Sequence, residues 1–247
     1  MPTVPRASPR TVLTWSSPRP SSSFRYLHFV NPDHIDEVFN NDIPKPIYLS
    51  KKDSELKPNY FLAIPVTDSS VIKNYLEFRQ YVLDTEPTLV KHCLSFQSDL
   101  LHITLLTLRL DNQFEIDQCM STMKALQEEL KYYCTYPEHL KLYFFGCETF
   151  YNKTLFINCR KHDRLEGLRK ILIERFQSNN INLAGNYYEF IPHLSLIKMK
   201  QKLKTIPSAI YKKYQQSDFG VQNVEAIQLC QIAPADSQQR CTFTLDL

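Results

Sequence analysis

Glycine is scarce in this chain: four residues in 247. No GxGxxG or GxxxxGK(S/T) occurs, which excludes the glycine-rich loops that cradle dinucleotides and nucleotide phosphates. The seven cysteines, Cys93, Cys119, Cys134, Cys147, Cys159, Cys230 and Cys241, are scattered, odd in number and free of any CxxC. That usage fits reduced thiols of the cytoplasm or nucleus and not a disulfide framework or a zinc site. No apolar run reaches the 18 or so residues that a membrane-crossing helix needs. Acid is missing from the first 32 residues, where Arg6, Arg10, Arg19 and Arg25 stand among serines and prolines. Without an apolar h-region this is no secretory signal. Its composition matches a mitochondrial transit peptide, but six prolines in the same stretch oppose the amphipathic helix such a peptide forms. Residues 1–56 therefore read as a disordered leader and linker, and 57–247 as the folded part. The location expected is cytoplasmic or nuclear, with a mitochondrial one left open by the leader.

What is present suffices for a core: 43% hydrophobic and 12% aromatic residues, with a mildly basic net charge of +3. That charge suits a polyanionic substrate without marking a nucleic-acid surface. Apolar periodicity predicts strands over 58–66, 100–110, 140–145, 154–159, 189–199, 224–232 and 241–245. It predicts helices over 69–84, 115–133 and 163–178, and a further one near 203–214. Asp68 or Ser69 caps the first helix, and Tyr151-Asn152-Lys153 is read as a hairpin turn.

One short phrase occurs twice, 91 residues apart, as Leu101-His102-Ile103-Thr104-Leu105 and Pro192-His193-Leu194-Ser195-Leu196. Strand side chains alternate between faces, so each phrase presents one imidazole and one hydroxyl on the same side and its apolar residues on the other. An imidazole titrates near neutrality, so one histidine can take a proton while its partner gives one. Cleaving an RNA-like diester needs such a pair, with Thr104 and Ser195 donating hydrogen bonds to the nonbridging phosphate oxygens. No carboxylate, histidine or cysteine stands at the two-residue partner position of either phrase, which weighs against a metal site. His28, His34, His92, His139 and His162 lack this setting and read as surface or loop residues. Tyr151 and Tyr60 are candidates to stack on a base. Strict alternation places Lys198, Lys200 and Arg109 on the faces opposite their histidines, which makes them solvated charges.

The paired phrases resemble the signature of the 2H phosphoesterase superfamily. Asn59–Pro65, Leu101–Leu106, Pro192–Ser195 and the stretch from Phe219-Gly220 to Leu229-Cys230 look like the branch found in A-kinase anchoring proteins. The resemblance implies an α+β, bilobal fold. Two antiparallel sheets with outer helices would be related by a pseudo-two-fold axis, and the histidine strands would face one another across a cleft. It implies His102 and His193 as catalytic, Thr104 and Ser195 as phosphate-binding, and no cofactor. Similar members of the branch cleave 2′,5′-linked oligoadenylates without metal, and other relatives open cyclic phosphates or trim RNA 3′ ends. The partner expected is thus an oligonucleotide, with no membrane and a monomeric chain. A 2′,3′-cyclic phosphodiesterase or RNA 3′-end trimming enzyme is the alternative of the same class, and a non-catalytic nucleotide-binding scaffold the alternative from another. Ser195 stands where many relatives carry Thr; both hydroxyls donate equally well.

Overall fold

The computed structural model describes residues 56–91, 93–94, 101–186, 189–200, 205–232 and 240–247. Of the leader expected over 1–56, residues 1–55, with His28 and His34, lie outside them, as does His92.

Among the described residues, nine strands make two antiparallel sheets. They are β1 (Tyr60–Pro65), β2 (Cys93–Leu94), β3 (His102–Leu108), β4 (Lys141–Phe150), β5 (Thr154–Cys159), β6 (His193–Met199), β7 (Asp218–Asn223), β8 (Ala226–Gln231) and β9 (Arg240–Asp246). The first sheet runs β3-β1-β8-β9 and the second β2-β6-β5-β4-β7. Four helices, α1 (Ser69–Thr85), α2 (Gln113–Ala125), α3 (Gln127–Thr135) and α4 (Asp163–Ser178), complete the α+β architecture. Helix α1 packs on β6 and β7 of the second sheet, whereas α4 packs on β3 and α2 and α3 on β9 of the first.

Local sequence accounts for most of these elements. Asp68 caps α1, its Oδ1 accepting from the amides of Ser70 at 2.9 Å and Val71 at 3.1 Å. The buried stripe Val71, Tyr75, Phe78 and Val82 repeats at helical spacing. In α4 the stripe is Leu165, Leu168, Leu172 and Phe176. Gly167 lets α3 approach closely, since a Cβ there would lie 2.0 Å from the Tyr133 hydroxyl.

Three expectations need correction. The single helix over 115–133 is two, broken at Leu126, whose N–H is shared between the carbonyls of Thr122 and Met123 at 3.1 Å each. An i→i−3 bond tightens the turn there and ends the regular α ladder. The helix near 203–214 is instead a pair of short 3₁₀ turns, Ser208–Ile210 and Lys212–Tyr214, following Pro207. Strand β4 runs on to Phe150 because Gly146, at φ +73°, absorbs a bulge in it. Strand β7 escaped the periodicity reading, since Asp218-Phe-Gly-Val-Gln-Asn has too few apolar residues to declare a strand.

Both sheets share one core. Leu62, Ile64, Ile103, Leu105 and Leu106 of the first sheet belong to the same buried cluster as Leu155, Ile157, Leu194, Leu196 and Ile197 of the second. Gln222 of β7 ties the two sheets together. Its Oε1 accepts from the amides of Thr67 and Asp68 at 2.9 and 3.2 Å, and its Nε2 donates to the Pro65 carbonyl at 2.6 Å. The free edge of β3 is covered as well: Asn186 brackets Thr107, accepting from its amide at 3.0 Å and donating to its carbonyl at 2.6 Å. Leu106→Ala should cost about 2–5 kcal/mol of unfolding free energy, as it empties a site only 1% exposed. Urea denaturation followed by far-ultraviolet circular dichroism measures it, and a cost below about 1 kcal/mol would show that the shared core is loosely packed.

Candidate active site

His102 opens β3 and His193 opens β6, at the first residue of each strand and not inside it as the sequence suggested. The two strands approach to within 8 Å, Cα to Cα. Their apolar residues enter the common core, so the half-buried His102, Thr104, His193 and Ser195 all emerge on the sides turned away from it.

Each phrase ends in a β-bulge at the same position. In β3 the register jumps between Leu62↔Leu106 and Ala63↔Thr104, leaving Leu105 as the extra residue. In β6 it jumps between Leu155↔Ile197 and Phe156↔Ser195, leaving Leu196 extra. Two successive apolar residues therefore enter the core in each strand, Leu105-Leu106 and Leu196-Ile197. Beyond the bulge the alternation is reversed. The prediction that Lys198 lies opposite His193 fails for this reason: Lys198 pairs with Thr154 in the row two steps beyond Ser195 and shares the histidine face. Lys200 lies past the end of β6. Thr107 is its counterpart in β3. Arg109 lies past the end of β3, ion-paired with Asp111 and donating to the Lys57 carbonyl at 3.1 Å.

A side chain from the covering helix grips each bulge. The Tyr75 hydroxyl of α1 donates to the Ser195 carbonyl at 3.2 Å, and Arg169 Nε of α4 donates to the Leu105 carbonyl at 3.0 Å. Both bonds fix backbone, not substrate-facing groups, and so set where the phrases sit.

Around His193 the setting is aromatic. The Phe150 ring meets it edge-on at 4.9 Å and 85°, Phe156 approaches at 5.1 Å, and these two phenyl rings stack at 4.2 Å. His193 Nδ1 lies 2.8 Å from the Ile191 carbonyl. A carbonyl only accepts, so Nδ1 carries the proton, and in the neutral ring Nε2 holds the free lone pair. Burial depresses the His193 pKa below its ordinary value, with repulsion from Lys198 adding to the effect and the Ile191 carbonyl opposing it. His102 packs its ring 4.9 Å from Phe61, which forms a small separate cluster with Ala63 and Cys230 on that face of the first sheet. Neither Thr104 nor Ser195 uses its hydroxyl in a hydrogen bond to any described residue, so both donors are available to a ligand.

The base-stacking candidates divide. Tyr60 is 7% exposed and packed in the main core, turned away from the histidines, because it shares the parity of Leu62 and Ile64. Tyr151 is exposed in the β4–β5 turn at φ +53°. His162 is tied down by its Nε2–H to the Lys141 carbonyl at 2.9 Å. Sequence reasoning passed over Phe61, Phe150, Phe156 and Asn158, which pairs with His193 across the ladder. In strand β5 Phe156 stands between Leu155 and Ile157 in an apolar run, so nothing singles it out. A cavity of about 360 Å³ lies elsewhere, lined by residues including Arg109, Phe114 and Asn182, and contains neither motif histidine. Among the described residues no cluster of three or more His, Cys, Asp or Glu could hold a metal ion, and no helix is long and apolar enough to cross a membrane.

The model of the AKAP7 2′5′ RNA ligase-like domain matches residues 58–241, both histidine phrases included. The chain belongs to that family. It is thereby a 2H phosphoesterase of the A-kinase anchoring protein branch. Human A-kinase anchor protein 7 isoform gamma is 31% identical over 193 residues, 73% of this chain and 53% of the relative. The chain thus spans about half the length of that protein. The fold is shared with TT0787 of Thermus thermophilus (TM-score 0.55, 18% identity, covering 76% of this chain and 97% of that one). It is also shared with E. coli LigT complexed with 3′-AMP (0.51, 14%, 77% and 98%) and with the MHV ns2 PDE domain (0.52, 15%, 72% and 100%).

The depressed His193 pKa has a consequence for the stability of the 2H domain. The folded ring resists protonation and the unfolded ring does not, so acidification below the ordinary value of 6.5 favours the unfolded chain until the lower folded pKa is passed. Relative to His193→Gln, wild type should lose stability between pH 7 and 5; urea midpoints at the two pH values test this, and equal shifts in both proteins would contradict it.

Proposed function

We propose that this 2H phosphoesterase is a metal-independent phosphodiesterase that cleaves RNA-like oligonucleotides, with 2′,5′-linked oligoadenylate as the preferred substrate. The observation that carries the reading is the duplicated arrangement itself. Two approaching strands turn their apolar faces into one core, and each offers an imidazole and an uncommitted hydroxyl on the other side. The family description, which names a 2′5′ RNA ligase-like domain, supports the linkage. E. coli LigT complexed with 3′-AMP and the MHV ns2 PDE domain, which share this fold, support nucleotide chemistry in it.

In a 2′,5′ linkage the 3′ hydroxyl beside the phosphate is free. His193 is suited to act as base, since its Nδ1 is held by the Ile191 carbonyl and its neutral form is favoured. Its Nε2 takes the proton from the 3′ hydroxyl, and the 3′ oxygen bonds to phosphorus. The bond from phosphorus to the 5′ oxygen of the next nucleoside breaks, and His102 delivers a proton to that oxygen. The products are a 2′,3′-cyclic phosphate and a 5′-hydroxyl nucleoside. Thr104 and Ser195 donate to the nonbridging oxygens, where negative charge accumulates as the P–O bonds rearrange.

His102→Ala and His193→Ala should each lower kcat by roughly 100- to 10,000-fold, the range of a lost general acid or base. The assay is turnover of 2′,5′- and 3′,5′-linked oligoadenylates with EDTA present. Selective loss of the 2′,5′ oligomer is expected in wild type. Equal or reversed preference would reject the substrate assignment, and turnover unchanged in both variants would reject the histidine roles.

A further inference from the structure

The two halves of the site are alike as far as the bulge and differ just beyond it. Thr107 occupies the position five residues after His102, and Lys198 the one five residues after His193. Thr107 is fully engaged, its hydroxyl donating to the Ala184 carbonyl at 2.6 Å. Lys198 is exposed and enters no salt bridge with any described residue.

Its place on the sheet is set by three cross-strand rows. Asn158 stands beside His193 in the first, Glu148 and Phe156 beside Ser195 in the second, and Phe150 and Thr154 beside Lys198 in the third. Directly opposed residues share a face, so the ammonium rises from the surface that carries His193 and Ser195. It lies two ladder steps past the Ser195 hydroxyl, about 7 Å along the strand. It is also near enough to act electrostatically on the His193 ring. The one carboxylate in these rows, Glu148, sits level with Ser195 and not with Lys198, so the third row carries a lone positive charge.

A cation at that offset is too far along the sheet to duplicate the Ser195 hydroxyl. We propose that Lys198 is a specificity residue that receives a second phosphate of the substrate, next to the one held between the two histidine phrases. The domain would then favour chains with at least two phosphates over a substrate with a single diester. The inference rests on the nucleotide reading above and names the feature of the substrate that this site selects.

The test is equilibrium binding, which is independent of turnover. The probes are 3′-deoxy analogues of A(2′p5′)A with and without a 5′-phosphate; lacking the 3′ hydroxyl, they have no internal nucleophile. Wild type should bind the 5′-phosphorylated probe up to about fivefold more tightly, the scale of one exposed ion pair. Lys198→Gln should bring the ratio to about one, and Lys198→Arg should keep it. The advantage in wild type should also fade with added salt. A ratio that survives Lys198→Gln, or that is already one in wild type, overturns the proposal. Turnover of unmodified A(2′p5′)A by wild type reports separately on the enzymatic reading: a chain that binds with the expected ratio but cleaves nothing loses that reading and keeps this one.

Discussion

The site depends on a single packing constraint. Strands β3 and β6 must bury Ile103, Leu105 and Leu106 on one side and Leu194, Leu196 and Ile197 on the other half of the same core. Once those residues are committed, the alternation of strand side chains leaves the imidazoles and hydroxyls no place but the outer face. Histidine and hydroxyl are thereby positioned by residues that never meet a ligand. Apolar burial supplies the driving force at roughly 25 cal/mol for each Å² removed from water, and the polar groups take the geometry that results.

The bulges add what simple alternation cannot. By admitting an extra residue at the end of each phrase they sharpen the local twist and reverse the parity of the strand beyond. The same irregularity at the same place in both halves, each held through a carbonyl by the helix behind it, gives the two lobes a common internal plan. Their divergence lies on the outer face. The β6 half surrounds its histidine with Phe150 and Phe156, whereas in the β3 half Phe61 packs against the histidine.

How legible was this in the chain? The two phrases, the strands that hold them and helices α1 and α4 were readable because their apolar spacing is long and regular. Tyr60 was misjudged because a tyrosine near a site invites a role, while its parity with Leu62 and Ile64 sends it into the core. The placement of Lys198 was misread by assuming strict alternation. A signal for it did exist: both phrases continue with two apolar residues in a row, Leu105-Leu106 and Leu196-Ile197, which a period of two does not accommodate. The break at Leu126 and the aromatic surround of His193 left no such mark, since they arise from tertiary packing.

The Tyr75 and Arg169 bonds carry a wider implication. Both reach main-chain oxygen, so they tolerate any residue on the strand they hold. Variation along β3 and β6 can then alter the outer face of either strand while the anchorage stays constant. Conversely, a change at Tyr75 of α1 or Arg169 of α4, outside both phrases in the sequence, acts directly on the backbone that carries them.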